Sequence, residues 1–144
     1  MKGAIELKLL LSARDVIKIY NKNQMAGLNK VSFDIESGEF IGIMGASGSG
    51  KTTLLNILST IDRPTSGDIV INGVDINKLN EKKAADFRKK NLGFIFQEYY
   101  LLDSLTVKEN ISVPLTLLKK SPQEIEMSIN SLAERFGIKE QLSK

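Results

Sequence analysis

The chain has 144 residues, 42% hydrophobic and 26% charged, with a net charge of +3 and neither cysteine nor histidine. That is one domain's worth of chain, and no apolar run nears the roughly 18 residues of a membrane span, so a transmembrane protein is not expected. Disulfides and thiolate-bound metals are excluded, and Leu9-Leu10-Leu11, flanked by Glu6, Lys8 and Arg14, is too short for a secretory h-region.

In chain order, Val31-Ser32-Phe33-Asp34-Ile35 alternates apolar and polar residues. Glu36-Ser37-Gly38-Glu39 then turns into a short apolar run, Glu39-Phe40-Ile41-Gly42-Ile43-Met44, which predicts a β-hairpin. The run feeds Gly45-Ala46-Ser47-Gly48-Ser49-Gly50-Lys51-Thr52-Thr53, a complete G-x-x-x-x-G-K-[ST] phosphate-binding loop. Leu54 to Ile61 follows with helical spacing of apolar residues, so the loop joins a strand to a helix.

That setting gives each residue of the loop a chemical task. Glycines at 45, 48 and 50 let the backbone curl into a nest whose N–H groups, with those of Ser47 and Ser49, face phosphate oxygens, and the helix N-terminus adds partial positive charge. Lys51 reaches the β- and γ-phosphates as a point charge. The Thr52 hydroxyl is placed to ligate Mg²⁺, with Thr53 the weaker candidate. A glycine-rich turn without function is the competing reading. The strand before the loop and the helix after it argue for a nucleoside-triphosphate site.

After the loop helix, Arg63-Pro64-Thr65-Ser66-Gly67 breaks the chain, and Ile69-Val70-Ile71, Asn72-Gly73 and Val74-Asp75-Ile76 read as a second hairpin. A basic helix is expected near Glu81 to Lys90. Between Lys78 and Lys90, six basic residues stand against Glu81 and Asp86. With Phe87 the one aromatic in the stretch, grouped with Ala84 and Ala85 as the helix's apolar side, the charges read as a solvated face and no nucleic-acid partner is expected.

The strand Leu92-Gly93-Phe94-Ile95-Phe96 then delivers Gln97 at its C-terminal end, the ligand side of an α/β sheet. Thr106-Val107-Lys108-Glu109 and Ser121-Pro122-Gln123-Glu124 are capping boxes that start two helices. The second carries Ile125, Ile129, Leu132 and Phe136 on one stripe for packing, with Gly137 suited to its C-cap.

The order of hairpin, phosphate loop, hairpin, basic helix and a strand ending in glutamine resembles the ATP-binding subunit of ABC transporters, from about Leu11 to Lys144. The resemblance rests on Gly45 to Thr53, Arg63-Pro64-Thr65-Ser66-Gly67, Gly73 and Phe94-Ile95-Phe96-Gln97. The run from Gln97 to Ile111 looks most like the bacterial lipoprotein-release, macrolide-export and bacitracin-type peptide-resistance group, with the bacitracin type of Gram-positive bacteria the nearest.

The fold class this implies is α/β: a P-loop NTPase core with an antiparallel β-subdomain and the start of a helical subdomain, truncated. The domain is residues 11–144, with the phosphate loop at 45–53, a glutamine loop near 97 and the helical subdomain from about 98. By the same resemblance, Tyr20, 25 positions before Gly45, stands where an aromatic stacks on adenine, with a buried core aromatic as the competing reading. Gln97 matches the glutamine that approaches Mg²⁺ and the attacking water, so Gln97 and Lys51 are the catalytic candidates and Thr52 and Gln97 the metal candidates. The competing reading of Gln97 is a solvated loop amide. Tyr99, Tyr100, Leu101 and Leu102 would face a permease, or pack in a core.

The implied cofactors are ATP and Mg²⁺. The implied partners are a transmembrane permease and a second ATP-binding subunit, at the cytoplasmic face of the membrane. Ala46 departs from the proline or asparagine common in relatives and leaves the glycines and Lys51 intact. No apolar strand ending in Asp-Glu, no Leu-Ser-Gly-Gly-Gln signature and no histidine follows the loop, so the chain looks like the N-terminal part of such a subunit, binding ATP without the parts for hydrolysis. The alternative is a nonhydrolytic nucleotide-binding regulatory module. A nucleotide kinase or GTPase is disfavoured because no base-specificity motif such as Asn-Lys-x-Asp follows the loop.

Overall fold

The computed structural model describes residues 8–20, 25–96 and 98–144, which divide into two compact units, one up to Arg88 and one from Lys89. The first unit is built on a four-stranded antiparallel sheet of order β2-β1-β3-β4, with β1 Leu9–Tyr20, β2 Met25–Glu36, β3 Ser66–Ile71 and β4 Val74–Asp75. Leu11 and Ala13 of β1 alternate inward opposite Ile71 and Ile69 of β3. Beyond them a register shift around Asp15, whose φ is +47°, re-phases the strand so that Val16 is also fully buried. Leu28, Leu54, Ile57, Ile76, Ala84 and Phe87 complete this core.

The loop helix is α1, Lys51–Leu58, and the basic helix is α2, Glu81–Asn91, with Ala84 and Phe87 buried as its apolar face. Asn72 and Gly73 make the two-residue turn between β3 and β4 with φ of +49° and +76°, the mirror-image geometry that Asn-Gly favours. Ile76, expected to close the strand, instead opens a 3₁₀ turn, Ile76–Lys78, capped by Asp75.

In the second unit both capping boxes form. The Thr106 hydroxyl accepts from Glu109 N–H while the Thr106 N–H donates to the Glu109 carboxylate, and Ser121 and Glu124 do the same. They start α3, Val107–Leu117, and α4, Pro122–Phe136. Lys120, with the Ser121 N–H and hydroxyl, holds the Glu124 carboxyl down at about 2. Ile129 and Ala133 are the buried residues of α4, while Leu132 and Phe136 of the expected stripe are exposed. A left-handed Gly137 ends the helix, with Ile138 N–H donating to the Ala133 carbonyl at 2.9 Å.

Two expected strands are not formed. Residues 39–44 do not pair with residues 31–35: β2 pairs with β1 instead, from Leu11 opposite Ile35 to Tyr20 opposite Met25. Phe40 and Met44 are almost wholly exposed. Residues 92–96 are likewise without strand pairing, Ile95 is fully exposed, and the Phe94 and Phe96 rings stack on each other at 5.6 Å. Both runs are apolar on successive residues, the pattern of a parallel strand covered on both faces, and among the described residues neither finds a neighbouring strand. Among the described residues, no helix is long and apolar enough to cross a membrane.

Candidate functional site

The phosphate loop curls over residues 45–50 and enters α1 through Gly50, which sits in the left-handed region at φ +93°. Gly50 supplies no side-chain cap and α1 has no acidic residue in its first turn, so no side chain of the helix's own competes for its leading N–H groups. Lys51 turns back into the loop, donating to the Gly45 carbonyl at 2.8 Å and the Ala46 carbonyl at 2.7 Å, with the Ser49 hydroxyl at 3.5 Å. The ammonium is therefore held against the carbonyls that open the loop.

Ser49 N–H donates to the Ala46 carbonyl at 3.2 Å and closes the loop's own turn. Thr52 is exposed on the first turn of α1, whereas Thr53 is half-buried, and an ideal Cβ placed on Gly27 would lie 3.2 Å from its methyl carbon. Of the two threonines, Thr52 is the more exposed.

Gly27 of β2 links the loop to Tyr20. A Cβ there would meet Cε2 of the Tyr20 ring at 2.8 Å as well as Thr53, and a Cβ on Gly50 would press on the Gly27 carbonyl. Gly27 thus packs against the Tyr20 ring, Thr53 and Gly50 with no space for a side chain, which sets Tyr20, at the end of β1, near the phosphate loop. Tyr20 is 40% exposed, so it is not a core aromatic. Its hydroxyl donates to Asp62 Oδ2 at 2.9 Å, and Lys18 Nζ lies 4.9 Å from its ring centroid while pairing with Asp62 Oδ1 at 2.6 Å. Gln97 lies outside the described residues.

Lys18, Gly27 and Asp62 complete this arrangement and carried no motif. The one available signal was Asp62 directly before the Arg63-Pro64 breaker, where a carboxylate can bond the next backbone N–H, and its Oδ1 accepts from Arg63 N–H at 2.7 Å.

Burial alone would raise the Asp62 carboxyl, but hydrogen bonds from Lys18, the Arg63 N–H and the Tyr20 hydroxyl outweigh it and hold the group below the ordinary carboxylate range. A depressed folded-state value means that the charged cluster stabilises the fold above the unfolded-state pKa and loses that contribution as pH falls through the folded one. Thermal unfolding followed from about pH 6 to pH 2 should therefore show a smaller acid loss in Asp62→Asn than in the parent. Equal acid slopes would contradict the assignment.

The comparisons with known proteins follow this geometry. The ABC transporter family model matches residues 28–144. The chain is 51% identical over 137 residues to the ABC transporter ATP-binding protein YxdL of Bacillus subtilis, covering 94% of this chain and 53% of that protein. It is 49% identical over 133 residues to the bacitracin export ATP-binding protein BceA of Halalkalibacterium halodurans, covering 91% of this chain and 53% of that one. The dimeric post-hydrolysis structure of the ATP-binding cassette MJ0796, bound to ADP and Pi, superposes with a TM-score of 0.81 at 31% identity, covering 93% of this chain and 60% of that one. The chain spans about half the length of the curated relatives it matches.

Proposed function

The chain belongs to the ABC transporter family, and from that premise we propose that it is the nucleotide-binding portion, residues 11–144, of the ATP-binding subunit of a bacterial ABC transporter for export or antimicrobial-peptide resistance. The observation that carries the reading is the phosphate loop entering an uncapped α1, with Lys51 turned over it and Thr52 exposed beside it. The nest and α1 N-terminus take the phosphates of ATP, Lys51 neutralises the β- and γ-phosphates, and Tyr20 stacks on adenine. Mg²⁺, which binds through few protein ligands and the substrate's own phosphates, would be held by Thr52 with Gln97 approaching it, and supplies charge neutralisation on the phosphates.

In this reading two subunits close on ATP and pull on a membrane permease, with the segment from about residue 98 as the helical subdomain that meets it. The protein then works at the cytoplasmic face of the membrane. The bacitracin-type substrate class is supported by the likeness to BceA and by the run from Gln97 to Ile111.

By itself this 144-residue stretch should bind MgATP without turning it over. Positioning and electrostatic stabilisation of the transferred phosphoryl group call for groups that it does not contain, an Asp-Glu strand end and a histidine after the loop among them. Steady-state phosphate release should stay at background. Turnover that vanished in Lys51→Ala would contradict this and place a complete catalytic set within the chain.

A further inference from the structure

A stacking aromatic that is free to swing must be ordered when its base arrives, and that ordering subtracts from affinity. Tyr20 is tied at two points. Its hydroxyl donates to Asp62 Oδ2 at 2.9 Å, and the Lys18 ammonium lies 4.9 Å from its ring centroid, close enough for a cation–π contact. The tie is itself braced, because Lys18 Nζ also donates to Asp62 Oδ1 at 2.6 Å and to the Arg63 carbonyl at 2.8 Å. The backbone repeats the connection: Ile19 N–H donates to Thr65 Oγ1 at 3.0 Å and Thr65 N–H to the Ile17 carbonyl at 2.7 Å.

We propose that Asp62 and Lys18 are positioning residues for the nucleotide base: they fix the plane of the Tyr20 ring beside the phosphate loop, and so raise affinity for nucleotides over base-free polyphosphates. The proposal rests on the reading of Tyr20 as the adenine stack. Asp62 touches neither base nor phosphate and acts only through Tyr20, which means that its effect belongs to ligands that carry a base.

The test compares ATP with inorganic tripolyphosphate, each with Mg²⁺, by calorimetric titration of the parent, Tyr20→Ala, Tyr20→Phe and Asp62→Ala. Tyr20→Ala should raise the ATP dissociation constant about 5- to 150-fold. Tyr20→Phe keeps the ring and loses only the tie to Asp62, so it and Asp62→Ala should each raise that constant about three- to tenfold. The double variant Tyr20→Phe/Asp62→Ala should be no worse than the worse single change, because the Tyr20–Asp62 hydrogen bond that Tyr20→Phe removes is already lost in Asp62→Ala. Tripolyphosphate should bind all of them as it binds the parent, a result that general loosening of the fold would not give.

If Tyr20→Ala is weakened but Tyr20→Phe and Asp62→Ala bind ATP as the parent does, the positioning role is overturned and the stack stands. If Tyr20→Ala binds ATP as the parent does, the stack fails and the proposal with it. Equal weakening of both ligands in Asp62→Ala would make Asp62 structural and also overturn the proposal. Should Asp62→Ala fail to fold, Tyr20→Phe alone decides.

Discussion

Gly50→Val should lose MgATP affinity at least as severely as removal of the loop's lysine, although it changes no charge. Gly50 stands at φ +93°, where a β-branched residue is strained by about 1 to 3 kcal/mol. Its added Cβ would press on the Gly27 carbonyl and come within 3.0 Å of Leu28 Cδ2, so β2 must move or the loop must open. Backbone cannot yield as a flexible side-chain end can. Opening the loop turns its N–H groups away from their common focus, which removes several phosphate contacts together. The melting temperature should fall with the affinity, and a Gly50→Val chain that kept both would show that the loop's curvature is not needed for either.

Lys51→Ala should act on binding alone. Its ammonium bonds the Gly45 and Ala46 carbonyls, but these contacts are exposed and water can replace them, so the fold should lose little. What is lost is a charged donor to phosphate, about 1.5 to 3 kcal/mol, or roughly a 10- to 150-fold rise in the MgATP dissociation constant. The two substitutions separate shape from charge. Gly50→Val changes stability and affinity together, Lys51→Ala affinity only.

Features decided within four residues of chain were legible in the sequence. The Asn72-Gly73 turn, the capping boxes at Thr106 and Ser121 and the Gly137 cap each close hydrogen bonds or sterics locally, and each formed as expected. Strand pairing was not legible, because a strand's partner is chosen by the whole sheet. Residues 31–35 had the alternation of a strand, but their neighbour is β1, not the nearby run 39–44. That run and 92–96 carried strong strand patterns that only flanking strands could satisfy. The site divides the same way. The phosphate loop announced itself by motif, whereas Gly27 and Asp62 become neighbours of Tyr20 only when β1, β2 and the segment after α1 are brought together.

The claim on which the account depends is that the triphosphate of ATP is gripped by residues 45–53 through Lys51. Calorimetric titration of the parent and Lys51→Ala with MgATP and with AMP tests it most directly, provided both chains are shown to be folded. The expected result is tight MgATP binding in the parent, a roughly 10- to 150-fold loss in Lys51→Ala, and far weaker AMP binding that is nearly indifferent to the substitution, since AMP lacks the β- and γ-phosphates proposed to meet Lys51. Equal MgATP affinity in the two chains would mean that the loop is only a turn, and would contradict the functional reading at its base.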